Sequence, residues 1–473
     1  MIRARFAPSP TGYLHIGSAR TFIFNWLYVR KNKGTMVLRI DDTDVDRNTE
    51  ASLNSIYEGL NWLNLGWDEF YRQSERLDLH RKLAYDLLEK GLAYRDFTPA
   101  AQDLEERERG EGQWLGNPEM RGLSREESNR RAAAGEPFAI RFRVERDPVR
   151  AIKFTDEVYG EQSKLTSDIE DFALLRSNGM PTYHLASCAD DLDLEITHII
   201  RGQDHLSNTF KHVLLFEAAG APVPAFAHLP LLIAPDGAKL SKRKHGPVVS
   251  VLTYRDNGFL PIAYTNFLCL LGWSPKDNRE QMTLDELINA FSLGGVNRSN
   301  AVVNFSESDP IDPKALWLNS QHLRSMPVEA LAPLVKKTLE EHKLAPCGDE
   351  EFFIHVINTI RSRYTTLLDF PNKGRAYFAD DFSIEKPAED KLNVPGAREL
   401  LRELATRIAS DPEFTEASVE ADLRKLAEER GVKAGVLINA SRAALTGQSA
   451  GPSAFAVFVC IGRERVIERL GRV

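Results

Sequence analysis

An apolar run, Ile2-Arg3-Ala4-Arg5-Phe6-Ala7, leads straight into Pro8-Ser9-Pro10-Thr11-Gly12-Tyr13-Leu14-His15-Ile16-Gly17-Ser18. No other stretch constrains the fold as tightly. Two prolines impose an extended turn, and Gly12 and Gly17 let backbone come close to a ligand. From about residue 18 to 31 the pattern predicts a helix, with Phe22, Trp26 and Val29 sharing one face. A strand feeding a loop that opens a helix gathers free backbone N–H groups and the positive end of the helix dipole at that loop, which suits phosphate. His15 adds a donor just ahead of the helix. Alone, one histidine in a tight turn reads as a buried structural residue.

A distant partner changes that reading. Gly237-Ala238-Lys239-Leu240-Ser241-Lys242-Arg243-Lys244-His245-Gly246 holds Lys239, Lys242, Arg243 and Lys244 between two glycines, with no acid among them. It follows His228-Leu229-Pro230-Leu231-Leu232-Ile233-Ala234, a strand-like apolar run ending in a turn at 235–237. Lysines at the mouth of a strand bind phosphate as point charges, as a triphosphate requires.

Residues 1–85 alternate strand and helix: strand 2–7, helix 18–31, strand 36–40 and a helix near 50–64. Such alternation predicts a parallel sheet with ligands at the carboxyl ends of its strands. At 473 residues the chain exceeds a single core and predicts three or four modules. Residues 103–112 are heavily charged, 113–121 carry glycine and proline, and 137–144 return as an alternating strand, so 86–183 read as an insertion with its own small fold. The α/β pattern resumes over 184–246, with a strand at 195–201 and a helix at 207–219. Residues 247–320 read as mostly helical, with Trp273 and Trp317 as core anchors. Residues 321–473 read as all-α, with helices at 331–341, 351–368, 397–410 and 419–429 and a linker near 382–394. Without a Gly-x-Gly-x-x-Gly or Walker motif, ordinary dinucleotide and P-loop readings fail.

Composition narrows the class. An apolar content of 42% and a charged content of 27% are ordinary for a soluble globular protein, and no apolar run approaches the length of a membrane span. The first residues enter a strand at once, so no signal peptide is expected. Cys188, Cys269, Cys347 and Cys460 are far apart and read as reduced thiols of a cytoplasmic protein, with no local zinc spacing. A net charge of −8 argues mildly against nucleic acid as a partner. Local fields differ: 239–244 is cationic, and so are Arg361, Arg363, Lys373 and Arg375, with Asp369 as their lone acid. Arg463, Arg465, Arg469 and Arg472 add a basic tail. An acidic protein with basic stripes can still bind a structured RNA.

Read together, the motifs resemble those of class I aminoacyl-tRNA synthetases, specifically the bacterial glutamyl-tRNA synthetases. The likeness is carried by Ala7-Pro8-Ser9-Pro10-Thr11-Gly12, Leu14-His15-Ile16-Gly17 and Lys239-Leu240-Ser241-Lys242-Arg243. It continues through Arg39-Ile40-Asp41-Asp42-Thr43-Asp44, Pro181-Thr182-Tyr183-His184-Leu185-Ala186, Ile200-Arg201-Gly202-Gln203-Asp204-His205-Leu206-Ser207-Asn208-Thr209 and His228-Leu229-Pro230-Leu231, and spans the chain in order. The resemblance implies an α/β, Rossmann-like parallel-sheet catalytic domain (1–85 and 184–246), interrupted by an inserted α+β domain gripping the tRNA acceptor end (86–183). A stem-contact helical domain (247–320) and an α-helical anticodon-binding domain (321–473) would follow. The implied activity is ATP-dependent attachment of L-glutamate to tRNA(Glu) through a glutamyl-adenylate, releasing AMP and diphosphate. The implied setting is a cytoplasmic monomer with Mg²⁺ and no membrane partner.

By the same resemblance His15, Lys239 and Lys242 are catalytic. Thr11, His15, Gly17, Gln203, His205, Leu231, Leu232, Lys239, Ser241 and Lys242 would line the ATP site. Arg5, Ala7, Ser9, Asp41, Tyr183 and Arg201 would hold glutamate, the arginines pairing with its carboxylates. Asp44, Arg47, Arg361 and Arg363 would contact tRNA. Three positions depart from the family pattern. Asp41 stands where glutamate is usual and is shorter by one carbon–carbon bond, about 1.5 Å. Gln203 and His205 stand where the family often has an acid and, in some members, tryptophan. The insertion lacks the cysteines with which some members bind zinc, so no structural metal is expected.

Rival readings fit less of the chain. Glutaminyl-tRNA synthetases share the loops, but their anticodon region is β-barrel in character, and this C-terminus is helical by period. The short glutamyl-queuosine-forming relatives lack the C-terminal block. A small-molecule adenylating or cytidylyl-transferring enzyme needs neither that block nor the insertion. A non-catalytic RNA-binding protein gives no reason for His15 and Lys242 to end two strands of one sheet. Whether tRNA(Gln) is charged as well stays open at this level.

Overall fold

The computed structural model describes residues 1–43, 48–99, 117–306 and 309–473. They form two compact units, one of residues 1–253 and 265–312, the other of 254–264 and 313–473.

The first unit is built on a seven-stranded sheet. Its strands are β1 (Arg3–Phe6), β2 (Thr35–Ile40), β3 (Glu69–Arg72), β6 (Ala151–Asp156), β7 (Gly160–Leu165), β9 (His198–Gly202) and β10 (Ala225–Leu229), in the order β3-β2-β1-β9-β10-β6-β7. Every neighbouring pair is parallel except β6–β7. From β1 the chain runs outward to β2 and β3, then returns to the far side of β1 with β9 and β10. That reversal opens a crevice at the carboxyl ends of β1 and β9, where open α/β sheets bind ligands. Helix α1 (Ile16–Lys31) packs on the sheet through Phe22, Ile23, Leu27 and Val29, and Arg30 and Lys31 close it with favourable charge at its C-terminal end.

The insertion expected over 86–183 is less separate than the sequence suggests. Only β4 (Ala93–Asp96), β5 (Ala139–Phe142) and β8 (Phe172–Leu175) form their own antiparallel sheet, whereas the β6–β7 hairpin extends the main one. Alternation explains the difference. Ile152, Phe154 and Asp156 of β6 face inward while Lys153 and Thr155 face out, and Phe154 meets Phe210 and Phe226 of the main core. The strand expected from residue 195 begins at His198, because Glu195 takes a left-handed turn (φ 51°) closing the preceding helix, Tyr183–Asp193. The run over 228–234 breaks after Leu229. Pro230 has no N–H to donate, and β11 (Leu232–Ile233) pairs instead with β12 (Ala301–Val302).

The second unit is helical. Helices Val328–Glu341, Glu350–Ile360, Ala397–Ser410, Glu416–Glu429, Ala434–Thr446, Ala454–Ile461 and Arg463–Arg472 share one core that includes Leu331, Val356, Leu404, Leu423, Leu437, Val457 and Leu470. The helix expected over 351–368 ends at Ile360. Beyond it Asp369 accepts the N–H groups of Thr365 (2.6 Å) and Thr366 (3.2 Å), fixing a turn. The linker expected near 382–394 holds a helix, Lys386–Leu392, that starts with Pro387 in its first turn and buries Ala388 and Leu392. Trp273 is buried as expected, but Trp317 is 44% exposed. Its helix, Pro313–Ser325, buries the stripe Ala315, Leu318, Asn319, His322 and Leu323, which position 317 misses.

Candidate active site

At the carboxyl ends of β1, β2, β9 and β10 lies a cavity of about 510 Å³. Arg5, Ala7, Ser9, Thr11, His15, Gly17, Asp41, Tyr183, Arg201, His205, Leu231, Leu232, Lys239 and Ser241 all line it, so residues far apart in the chain meet at one place. Gln203 is not among the lining residues; its side chain is held by the Tyr159 hydroxyl and by Asn300 (3.1 Å). Of Lys242 only the backbone is described, opening the short helix Lys242–His245. Asp44 and Arg47 lie outside the described residues. Arg361 and Arg363 belong to the second unit, where Arg361 donates to the Met326 carbonyl (2.5 Å). The basic tail is largely internal too. Arg465 and Arg469 converge on Asp380 (3.1 and 2.6 Å), Arg463 caps the Ile408 carbonyl (2.8 Å), and Arg472 pairs with Glu468.

His15 is the N-cap of α1, its Nδ1 accepting the Gly17 N–H at 3.0 Å. In a neutral ring that leaves the proton on Nε2. A Cβ on Gly17 would stand 3.3 Å from Nδ1, so glycine there keeps the cap in place. The start of α1, with the positive end of its dipole, and the loop 7–14 both face the cavity.

The two candidate carboxylate-binding arginines have opposite surroundings. Arg5 is buried, and its Nε donates to Asp191 (3.1 Å). Asp191 also accepts from Nη1 of Arg39 (2.7 Å), and Arg39 grips both oxygens of Asp41 (2.7 and 3.2 Å). Behind them Asp190 takes His80 (2.8 Å), Gln73 (2.9 Å) and Arg76 (2.8 Å). Asp41 thus sits at the pocket end of a chain of alternating charge. Burial raises its carboxyl above the usual range, although Arg39 pulls it back.

Arg201, 6% exposed, has neutral partners. Its Nε donates to His228 Nε2 (3.1 Å), Nη1 to the Tyr183 hydroxyl (3.0 Å) and Nη2 to Thr209 Oγ1 (2.7 Å), and His212 Nδ1 lies 3.3 Å from Nη1. No carboxylate pairs with it among the described residues. Burial lowers its pKa. It also drives His205, whose Nδ1 meets the Tyr183 hydroxyl at 3.1 Å, down to about 4, and keeps His212 neutral. A buried guanidinium among uncharged groups attracts an anion.

Across the cavity Lys239 pairs with Asp204 (2.8 Å), and Asp204 folds so closely over Gly202 that a Cβ there would meet it at 2.5 Å. Arg20 of α1 is buried, and among the described residues no carboxylate pairs with it. It caps the carbonyls of Leu271 (2.8 Å) and Pro230, and burial lowers it to about 10. Sequence reasoning missed Arg20, Arg39, Asp156, Asp190, Asp191 and His228 as parts of this surround. For Asp190 and Asp191 the signal was present: two acids follow Leu185-Ala186-Ser187-Cys188-Ala189 in a helix that must pack.

The chain as a whole is similar to known proteins. Residues 1–308 match the family described as tRNA synthetases class I (E and Q), catalytic domain, and residues 328–473 match an anticodon binding domain. A glutamate–tRNA ligase of Solibacter usitatus is 54% identical, over 100% of this chain and 99% of the relative. A glutamate–tRNA ligase 2 of Koribacter versatilis is 45% identical, over 100% and 97%. The crystal structure of a glutamate tRNA ligase from Elizabethkingia meningosepticum, in complex with its amino acid, superposes with a TM-score of 0.86 at 34% identity, covering 100% of this chain and 98% of that one. On these matches, which run end to end, the chain belongs to the glutamate–tRNA ligase family of class I tRNA synthetases.

Proposed function

We propose that the cavity activates L-glutamate with ATP and passes it to the terminal adenosine of tRNA(Glu). The observation that carries this is the joining of Arg201, cationic and without a carboxylate, to the His15-capped start of α1 in one cavity. Arg201 and Arg5 receive the substrate carboxylates, and Asp41, held by Arg39, turns its remaining lone pairs to the ammonium. The triphosphate lies over the loop 7–17 and carries its own Mg²⁺. A glutamate carboxylate oxygen attacks the α-phosphorus, the new O–P bond forms, and the bond to the β-phosphate breaks. Lys239 and Lys242 offset the charge on the departing pyrophosphate, and His15 donates a hydrogen bond to the phosphates. A ribose hydroxyl of the tRNA then attacks the activated carbonyl and AMP leaves. The segment 86–183, with Asp44 and Arg47, grips the acceptor end. The helical unit reads the anticodon, with Arg361 and Arg363 near the RNA. The enzyme acts as a cytoplasmic monomer. Among the described residues no helix is long and apolar enough to cross a membrane, and no cluster of His, Cys, Asp and Glu could hold a metal ion.

Labelled glutamate, ATP, Mg²⁺ and transcripts of tRNA(Glu) and tRNA(Gln) test this reading. Charging of tRNA(Glu) alone is the expected result. Charging of both would make the enzyme non-discriminating, and charging of neither by folded protein would overturn the proposal.

A further inference from the structure

His228 has no part in the chemistry above, yet it is fully buried on β10, directly opposite Arg201 on β9. Beyond it, on β6, lies buried Asp156, whose carboxylate oxygen is 2.6 Å from His228 Nδ1. Asp156, His228 and Arg201 thus form a row across three adjacent strands. Asp156 also accepts the backbone N–H groups of Val158 (3.0 Å), Tyr159 (2.9 Å) and His228 itself (3.1 Å). Burial alone would raise this carboxyl, but the hydrogen bonds from His228 and the backbone outweigh it and hold Asp156 below the ordinary range. An anion surrounded by donors can only accept. The shared proton therefore sits on Nδ1 of His228, and Nε2 keeps a lone pair. That lone pair faces the Nε–H of Arg201, with the Thr209 hydroxyl also 3.1 Å from Nε2. The opposite tautomer, or an imidazolium, would turn an N–H against that Nε–H.

We propose that Asp156 and His228 are positioning residues for substrate glutamate: Asp156 sets the tautomer of His228, and His228 holds the Nε edge of Arg201 without neutralising it. A carboxylate in place of His228 would fix the same edge but consume the charge meant for the substrate. The inference rests on the reading of Arg201 as a glutamate-binding residue.

Charging assays with separate titrations of glutamate and ATP test it on His228→Leu, His228→Gln, Asp156→Asn and Arg201→Leu. His228→Leu and Asp156→Asn should raise KM for glutamate roughly tenfold to hundredfold, the scale of one hydrogen bond to a buried charge, with KM for ATP within about twofold. Glutamine offers a neutral acceptor near the Nε2 position, so His228→Gln should recover most of the loss. Equal rises in both KM values, an unchanged KM for glutamate, or His228→Gln as impaired as His228→Leu would each overturn the proposal. If Arg201→Leu itself leaves KM for glutamate unchanged, the underlying reading of Arg201 fails and the inference with it. Long-range ¹H–¹⁵N spectra of histidine-labelled wild-type protein decide the matter even if the variants do not fold. An Nδ1–H signature for His228 supports the relay, and an Nε2–H signature refutes it.

Discussion

Arginine serves opposite ends in the two units. In the C-terminal unit Arg469 is buried against Asp380 and donates to the carbonyls of Ala376 (2.8 Å) and Ala379 (2.9 Å), so its charge and its donors are absorbed by the fold. In the first unit Arg201 is just as buried, but its donors go to hydroxyls and neutral imidazoles. Burial alone does not separate a structural cation from a functional one. What separates Arg201 from Arg469 is that the groups around Arg469 cancel its charge and those around Arg201 do not.

The largest expected effect comes from Arg201→Leu. Loss of a desolvated charge-assisted contact of about 3–5 kcal/mol should lower kcat/KM for glutamate by roughly a hundredfold to several thousandfold. Stability should hold, because a buried cation without a counter-ion is costly to the folded state. A fall in Tm as large as the fall in activity would break the contrast. Arg469→Leu should do the reverse. It leaves buried carbonyls without donors and should cost about 2–4 kcal/mol in denaturant titrations, with KM for glutamate unchanged.

Acid should separate the units next. His184 and His205 are pushed down to about 4 by burial, and His212 and His228 are lowered as well. Between pH of about 6.5, the unfolded value, and about 4 the unfolded chain binds more protons than the folded one, so stability declines as pH falls through that window. In the second unit His322 is likewise pushed down to about 4. Hydrogen exchange at pH 5, corrected for intrinsic rates, should therefore show more opening around the cluster near Arg201 than around His322. Uniform opening would show that the cluster does not govern acid stability. The smallest effect is expected from Lys239→Ala. Its exposed pair with Asp204 contributes less than about 1 kcal/mol, so Tm should barely move while the charging rate drops. A clear loss of stability would mean that Lys239 is structural.

Much of this was legible in the chain. The strand-loop-helix over 2–31 and the cationic run at 239–244 carry local signals in their glycines, prolines and lysines, and they meet where the alternation of elements said they would. What escaped depended on distant partners. Nothing local marks Asp156, and the motif that contains His228 does not show its pairing, which arises from β6 joining β10 across an interval of about seventy residues. Trp317 misled because apolar character alone says nothing about which side of a helix faces the core. The prolines near 386 misled in the other direction, because proline starts a helix as readily as it ends one. The basic tail suggested RNA contact by composition, but most of its arginines close helix ends or pair within the unit.

The β6–β7 hairpin bears on how such an enzyme can be rearranged. A module spliced into a host through loops alone can be trimmed or exchanged with little harm to the host. Here, excision of 86–183 would strip two strands from the main sheet, leave β10 as a bare hydrophobic edge and uncover Phe226. The truncated protein should associate through that edge instead of persisting as a smaller soluble enzyme. A swap of this segment between relatives keeps its host intact only when the graft points lie inside β4–β5 and β8, with the hairpin left behind.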